Sequence, residues 1–151
     1  MLILYRGLLL ISGGAQPLLN AKVRHAMGGG KILAVSYERA LLRTRKLLLC
    51  SEGYEVSTAD SFAAAKNACS NTAFNLVIIG HSIPRSDQKQ LTALVRHICR
   101  DTPLLLILRS ELEECPADVD YTVNAQDGPG VLVRVVNSIL RASPGPVKKR
   151  A

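Results

Sequence analysis

The sequence predicts a doubly wound parallel α/β domain, on three observations. From Lys31 to Leu140, apolar runs of strand length alternate with segments of helical periodicity. Three of those runs, residues 32–35, 76–79 and 104–108, are unbroken, as in central strands buried on both faces. Two others, 54–57 and 119–123, mix polar with apolar residues, which suits the edges of a sheet.

The elements follow in order. Residues 32–35 form the first strand. Residues 38–51 read as a helix, with Leu41, Leu42, Leu48 and Leu49 as its apolar stripe and Gly53 as its stop. Residues 54–57 form the second strand. Ser61, followed by Ala63, Ala64, Ala65 and Ala68, reads as the N-cap of a small-residue helix. Residues 76–79 are the third strand and 87–100 the third helix. Pro103 opens the fourth strand, 104–108. Residues 119–123 are the fifth strand and 131–140 the last helix. Only ten residues, 109–118, separate the fourth and fifth strands, so the fourth helix is expected to be shortened to one or two turns. Right-handed crossovers leave few topologies. The flavodoxin-like order 2-1-3-4-5 puts both mixed strands at edges and places chemistry at the carboxyl ends of strands 1 and 3.

Composition bounds the rest. The chain has 151 residues, 48% of them hydrophobic, which allows one domain with a sizeable core. No apolar run approaches the roughly 20 residues that cross a bilayer. The net charge of +7 resides in the ends. Residues 1–26 carry Arg6, Lys22 and Arg24, and 142–151 carry Lys148, Lys149 and Arg150, with no acid in either stretch. Residues 27–141 hold 13 basic and 12 acidic residues. Nucleic-acid binding, which concentrates basic charge on a folded face, is therefore not expected. Residues 1–26 are expected to be a disordered or non-native extension with Met27 as the natural start, 27–141 the domain, and 142–151 a flexible basic tail. A signal peptide fits poorly because Arg6 interrupts the leading apolar run. Cys50, Cys69, Cys99 and Cys115 form no CxxC pair, and His97 is misplaced on a helix to share a metal with Cys99. Four reduced cysteines in or near the core, in a cytoplasmic protein, are expected.

Residues 30–141 resemble the receiver domains of two-component response regulators. The resemblance rests on Lys31-Ile32-Leu33, Gly53-Tyr54-Glu55-Val56 with Thr58-Ala59, and Leu76-Val77-Ile78-Ile79 with Pro84 beyond it. Thr102-Pro103 and Asp120-Tyr121 extend it. It implies a pocket in which two acidic residues and an acceptor aspartate hold Mg²⁺, with a hydroxyl residue after strand 4 and a lysine-proline pair after strand 5. At those positions this chain has Ser36 and Tyr37 for the acidic pair, Gly80 for the acceptor and Leu108 for the hydroxyl residue. Asn124, followed by Ala125, replaces the lysine and proline. Ser110 is the hydroxyl residue if the register slips by two. Glu38 matches the neighbour of the acidic pair.

Mg²⁺ needs hard oxygen ligands, normally with one or two carboxylates, and an aspartyl phosphate needs the acceptor carboxylate as nucleophile. Neither is present, and neutral Asn124 avoids leaving an uncompensated lysine beside the altered pocket. No catalytic residue, metal or cofactor is therefore expected. Tyr121 matches the family's switch aromatic, but Leu108 has no hydroxyl with which to drive it, so an edge-strand packing role is expected. Tyr37 is expected to cover the space beside Gly80. His81 and Ser82 flank that position as loop residues. Arg43, Arg45 and Lys46, and the acidic group Glu111, Glu113 and Glu114, read as solvated surface able to steer a partner.

The reading that follows is a degenerate stand-alone receiver domain, not an enzyme, acting by phosphorylation-independent protein–protein contact. The resemblance implies a histidine kinase or another signalling protein as partner. The short fourth helix also implies an altered version of the family's dimerisation face. Two alternatives remain. One is a regulator phosphorylated at His81 or Ser82 with Glu38 helping to hold Mg²⁺. The other is a small-ligand-binding doubly wound domain, against which stands the lack of a glycine-rich phosphate loop after strand 1.

Overall fold

The computed structural model describes residues 2–3, 6–8, 29–110 and 112–142. The elements are β1 (Lys31–Val35), α1 (Arg39–Ser51), β2 (Glu55–Ala59), α2 (Phe62–Asn71), β3 (Leu76–Ile79), α3 (Arg85–Ile98), β4 (Leu104–Leu108), β5 (Tyr121–Asn124) and α4 (Pro129–Ala142). A single 3-10 turn, Ala125–Asp127, joins β5 to α4. The strands form one parallel sheet in the order β2-β1-β3-β4-β5, which is the expected 2-1-3-4-5.

Local chemistry accounts for the boundaries. Gly53, at φ +99°, takes the left-handed turn that ends α1 and that a side chain would disfavour. The Ser61 hydroxyl accepts a 3.0 Å bond from the Ala64 amide, the N-cap expected from the sequence. On α3, Asp87 stands in the first turn and Arg96 and His97 in the last, each complementing the helix dipole.

Alternate residues of each central strand serve opposite faces of the sheet. Ile32, Ala34, Leu76, Ile78, Leu105 and Ile107 pack under α1 and α4, against Leu42, Leu49, Leu132, Val136 and Ile139. Leu33, Val35, Val77, Ile79, Leu104 and Leu106 pack under α2 and α3, against Ala65, Cys69, Leu91 and Val95. A chain buried on both faces cannot alternate, hence the unbroken apolar runs.

The expected short fourth helix is reduced further than a helix. Between β4 and β5 the described residues make two separate turns, closed by Glu113 N to Ser110 O and Val119 N to Pro116 O. Side chains, not a helical ladder, organise this segment. Arg96 donates to the carbonyl of Asp118 (2.6 Å) and the carboxylate of Asp120 (2.9 Å), and Asp120 also accepts the Leu104 amide (2.9 Å).

All four cysteines are free thiols, but only Cys69 is buried and Cys99 half-buried; Cys50 and Cys115 are exposed. The expectation that all four lie in or near the core is corrected for these two. Cys50 is on the outer side of α1 and Cys115 in the irregular segment before β5. Residues Leu2–Ile3 and Arg6–Leu8 pair as a separate antiparallel ribbon. The rest of the expected N-terminal extension and the basic tail after Ala142 lie outside the described residues. Among the described residues no helix is long and apolar enough to cross a membrane.

Candidate functional site

The carboxyl ends of β1 and β3 lie side by side. The Gly80 amide donates to the Val35 carbonyl (2.8 Å), and the Ser36 amide to that of Ala59 (3.1 Å). This brings Ser36 and Gly80 together, as expected. Ser36 is fully buried. Its hydroxyl shares a 2.8 Å bond with that of Ser82 and accepts the Glu38 amide at 3.2 Å. The two serines thus tie the loop after β1 to the loop after β3.

The residue that dominates the site is one the sequence reading placed on the solvated surface. Arg45, from the middle of α1, is only 8% exposed, and its guanidinium lies against Gly80. A Cβ at Gly80 would stand 2.7 Å from Arg45 Nη1 and 3.2 Å from both Ser36 Cβ and the Val35 carbonyl. The expectation that Tyr37 covers this space is therefore corrected: Arg45 fills it. Arg45 is long enough to cross from the helix to the sheet edge, whereas the Tyr37 ring turns toward α3, where its hydroxyl donates to Asp87 (2.8 Å). Burial, then the bond to Asp87, push the Tyr37 phenol up to about 12.

A sequence signal for Arg45 existed. Leu42, Arg45 and Leu49 are spaced i, i+3, i+7, and these three are the buried residues of α1. A charged residue on the core stripe of a helix is unusual, and it marks a place where the interior is polar.

Arg45 Nη2 lies 3.3 Å from His81 Nδ1. A guanidinium only donates, so Nδ1 accepts and the imidazole carries its proton on Nε2. Burial, then the charges of Arg45 and Arg109, lower the His81 pKa, while Glu38 and Glu113 oppose them. Burial lowers that of Arg45, with Glu38 opposing. Beneath, the Gln88 amide donates to the Gly80 carbonyl at 3.3 Å.

Among the described residues, the remaining expected positions make none of the polar contacts of this centre. Leu108 ends β4 opposite Asn124 in the register. Asn124 turns its side chain to the backbone, accepting the Gln126 amide at 3.1 Å as the cap of the 3-10 turn. Ser110 is likewise used locally, by the Leu112 amide. Tyr121 begins the edge strand, partly exposed. Glu113 corrects the expectation of a solvated acidic group: its side chain is 8% exposed and lies between Arg85 (3.6 Å) and Arg109 (3.8 Å). Glu114 is exposed beside Arg85, and Glu111 lies outside the described residues.

This donor set does not fit Mg²⁺. Among the described residues no three His, Cys, Asp or Glu side chains gather to hold a metal. A guanidinium about 4 Å from a divalent ion would be repelled by about 8 kcal/mol at an effective dielectric of about 20.

No family model and no curated protein matches the sequence. Solved structures do match. The chain is similar to an adenylate cyclase structure from Rhodopirellula baltica (19% identity, TM-score 0.66, covering 75% of this chain and 88% of that one). It is similar to a CheY-like response regulator receiver domain protein from Methanospirillum hungatei (19%, 0.66, 76% and 95%). It is also similar to the response regulator TrrA from Thermotoga maritima, determined in complex with Mg²⁺-BeF (22%, 0.65, 73% and 98%). At these identities the likeness establishes the fold.

Proposed function

We propose that this chain uses the CheY-like receiver fold as a signalling module that works by protein–protein contact and forms no aspartyl phosphate. The observation that carries the reading is the guanidinium of Arg45 packed against Gly80. At the position where the resemblance implies an acceptor carboxylate, this chain has no side chain, and a cation from α1 takes the space. The neighbouring Ser36 and Tyr37 are neutral, and each is committed to a partner, Ser82 and Asp87. The changes support one another, because neutral neighbours spare this cation the repulsion that a metal or a lysine beside it would add.

Such a module is a binding protein rather than an enzyme, in a cytoplasmic setting, with a histidine kinase or another signalling protein as partner. Control would rest on the amount of partner and not on phosphate chemistry. The segment from Arg109 to Asp120, held by side-chain bonds where the fold ordinarily places a helix, gives the β4–β5 side a surface of its own.

Amide NMR of the full chain with Mg²⁺ and then beryllofluoride tests the reading. The expected result is no specific shift at Ser36, Gly80 or Asn124. Saturable, Mg²⁺-dependent shifts there would overturn it and favour a site rebuilt around His81, Ser82 and Glu38.

A further inference from the structure

We propose that the Arg45 pocket is a metal-independent binding site for a phosphate-like oxyanion, gripped by the Arg45 guanidinium with His81 and Ser82 at its rim. The inference starts from an imbalance of donors. A guanidinium has five N–H donors, and Arg45, more than nine-tenths buried, uses one of them, on His81. Among the described residues it has no carboxylate within ion-pairing distance, whereas Arg39, Arg85, Arg96 and Arg109 all do.

Yet no buried side-chain nitrogen or oxygen among the described residues lacks a partner. The remaining Arg45 donors therefore still reach solvent. A largely buried cation with open donors is suited to a compact anion with several acceptor oxygens. His81, bonded to Arg45, and Ser82 after it are both half-exposed. The Ser36–Ser82 bond leaves one of the two hydroxyl protons for a ligand, since a single proton serves it.

The other charges that face the site are Arg109 on the favourable side and Glu38 and Glu113 on the unfavourable one. Glu113 is already engaged by Arg85 and Arg109, and Glu38 is exposed at the start of α1. These carboxylates weaken binding, and salt weakens it further. An anion seated against His81 also favours its imidazolium and so raises its pKa. This chemistry differs from the phosphoryl pocket implied by the resemblance in using neither metal nor covalent bond. It rests on the reading of that pocket as one without carboxylates.

The test is amide and imidazole NMR of the full chain, titrated without metal with inorganic phosphate and with phenyl phosphate. Chloride at matched ionic strength is the control. The expected result is saturable shifts at Ser36, Gly80, His81 and Ser82, with an upward shift of the His81 pKa. Affinity should fall at least tenfold in Arg45→Gln, and severalfold in His81→Ala, which leaves Arg45 in place should the first variant fail to fold. Equal shifts with both phosphates would identify the phosphate group of a larger molecule as the ligand; exclusion of the ester would identify the free ion. Shifts reproduced by chloride, or affinities unchanged in both variants, would overturn the proposal. The Mg²⁺–beryllofluoride titration fails or succeeds independently, so the two readings are separable.

Discussion

Replacing Gly80 by alanine tests the Arg45–Gly80 contact directly. The added Cβ would lie 2.7 Å from Arg45 Nη1, against about 3.4 Å for an ordinary contact, so the guanidinium must retreat by about 0.7 Å. That side chain is flexible in principle but is 8% exposed and bonded to His81. The other two contacts, both 3.2 Å, involve Ser36 Cβ and the Val35 carbonyl. The carbonyl cannot move away freely, because it accepts the Gly80 amide at 2.8 Å. Overpacking of this kind costs about 2 kcal/mol. For a domain of this size that lowers the melting temperature by about 4 °C per kcal/mol. Urea denaturation followed by circular dichroism would read the loss as a shift in midpoint at unchanged slope. In an Arg45→Ala background the closest contact is gone, and Gly80→Ala should cost about 1 kcal/mol less than in the parent, a coupling measurable by a double-mutant cycle. A neutral Gly80→Ala, or a cost independent of Arg45, would refute the packing described here and the functional reading built on it.

Three further outcomes follow from the same structure. Arg96→Met removes the donors to Arg100, Thr102, Asp118 and Asp120 and leaves the Asp120 carboxylate, 12% exposed, without its cation. A loss of about 3 kcal/mol in thermal or urea unfolding is expected, with faster amide exchange in the 109–120 segment. Tyr37 should ionise near 12 by phenolate absorbance, and Asp87→Asn should bring it down. Because the folded-state value is raised, its contribution to stability is complete below about pH 10 and is lost as pH rises through about 12. Gly80→Asp should not make the chain accept phosphate from acetyl phosphate and Mg²⁺ in a phosphate-affinity gel, since the new carboxylate pairs with Arg45 and still lacks acidic neighbours at Ser36 and Tyr37.

Strand and helix periodicity carried most of the fold. The unbroken runs at 76–79 and 104–108 match β3 and β4 in every residue, because strands buried on both faces leave no polar position to blur their ends. The edge strands were legible only to within a few residues. Expected at 54–57 and 119–123, they form at Glu55–Ala59 and Tyr121–Asn124, since an edge end is set by pairing with one neighbour. The absence of carboxylates at Ser36, Tyr37 and Gly80 was visible in the linear sequence. The Leu42–Arg45–Leu49 stripe marked Arg45 as buried but not where it goes, because it is 35 residues away from Gly80 in the chain and meets it only once α1 has packed on the sheet. Glu113 escaped notice for a similar reason: three clustered glutamates read as solvated charge until Arg85 from another element closes over one of them.

The placement of Arg45 also bears on how a pocket without phosphoryl chemistry, as in the proposed function, would be built. Simple decay of a pocket would remove carboxylates one by one and leave polar groups facing water. Here the change is of sign. The positions implied to be acidic are neutral, the one implied to be a lysine is Asn124, which now caps a backbone turn, and the interior charge is a cation delivered from α1. Burying a guanidinium is costly, so a helix stripe that runs Leu42, Arg45, Leu49 would ordinarily be more stable with an apolar residue in the middle. Gly80 shapes the space for that side chain, Ser36 and Ser82 bond to each other beside Gly80, and His81 accepts its one internal bond. A cost borne by one residue and accommodated by four others on two separate segments supports the proposed oxyanion site over an empty pocket.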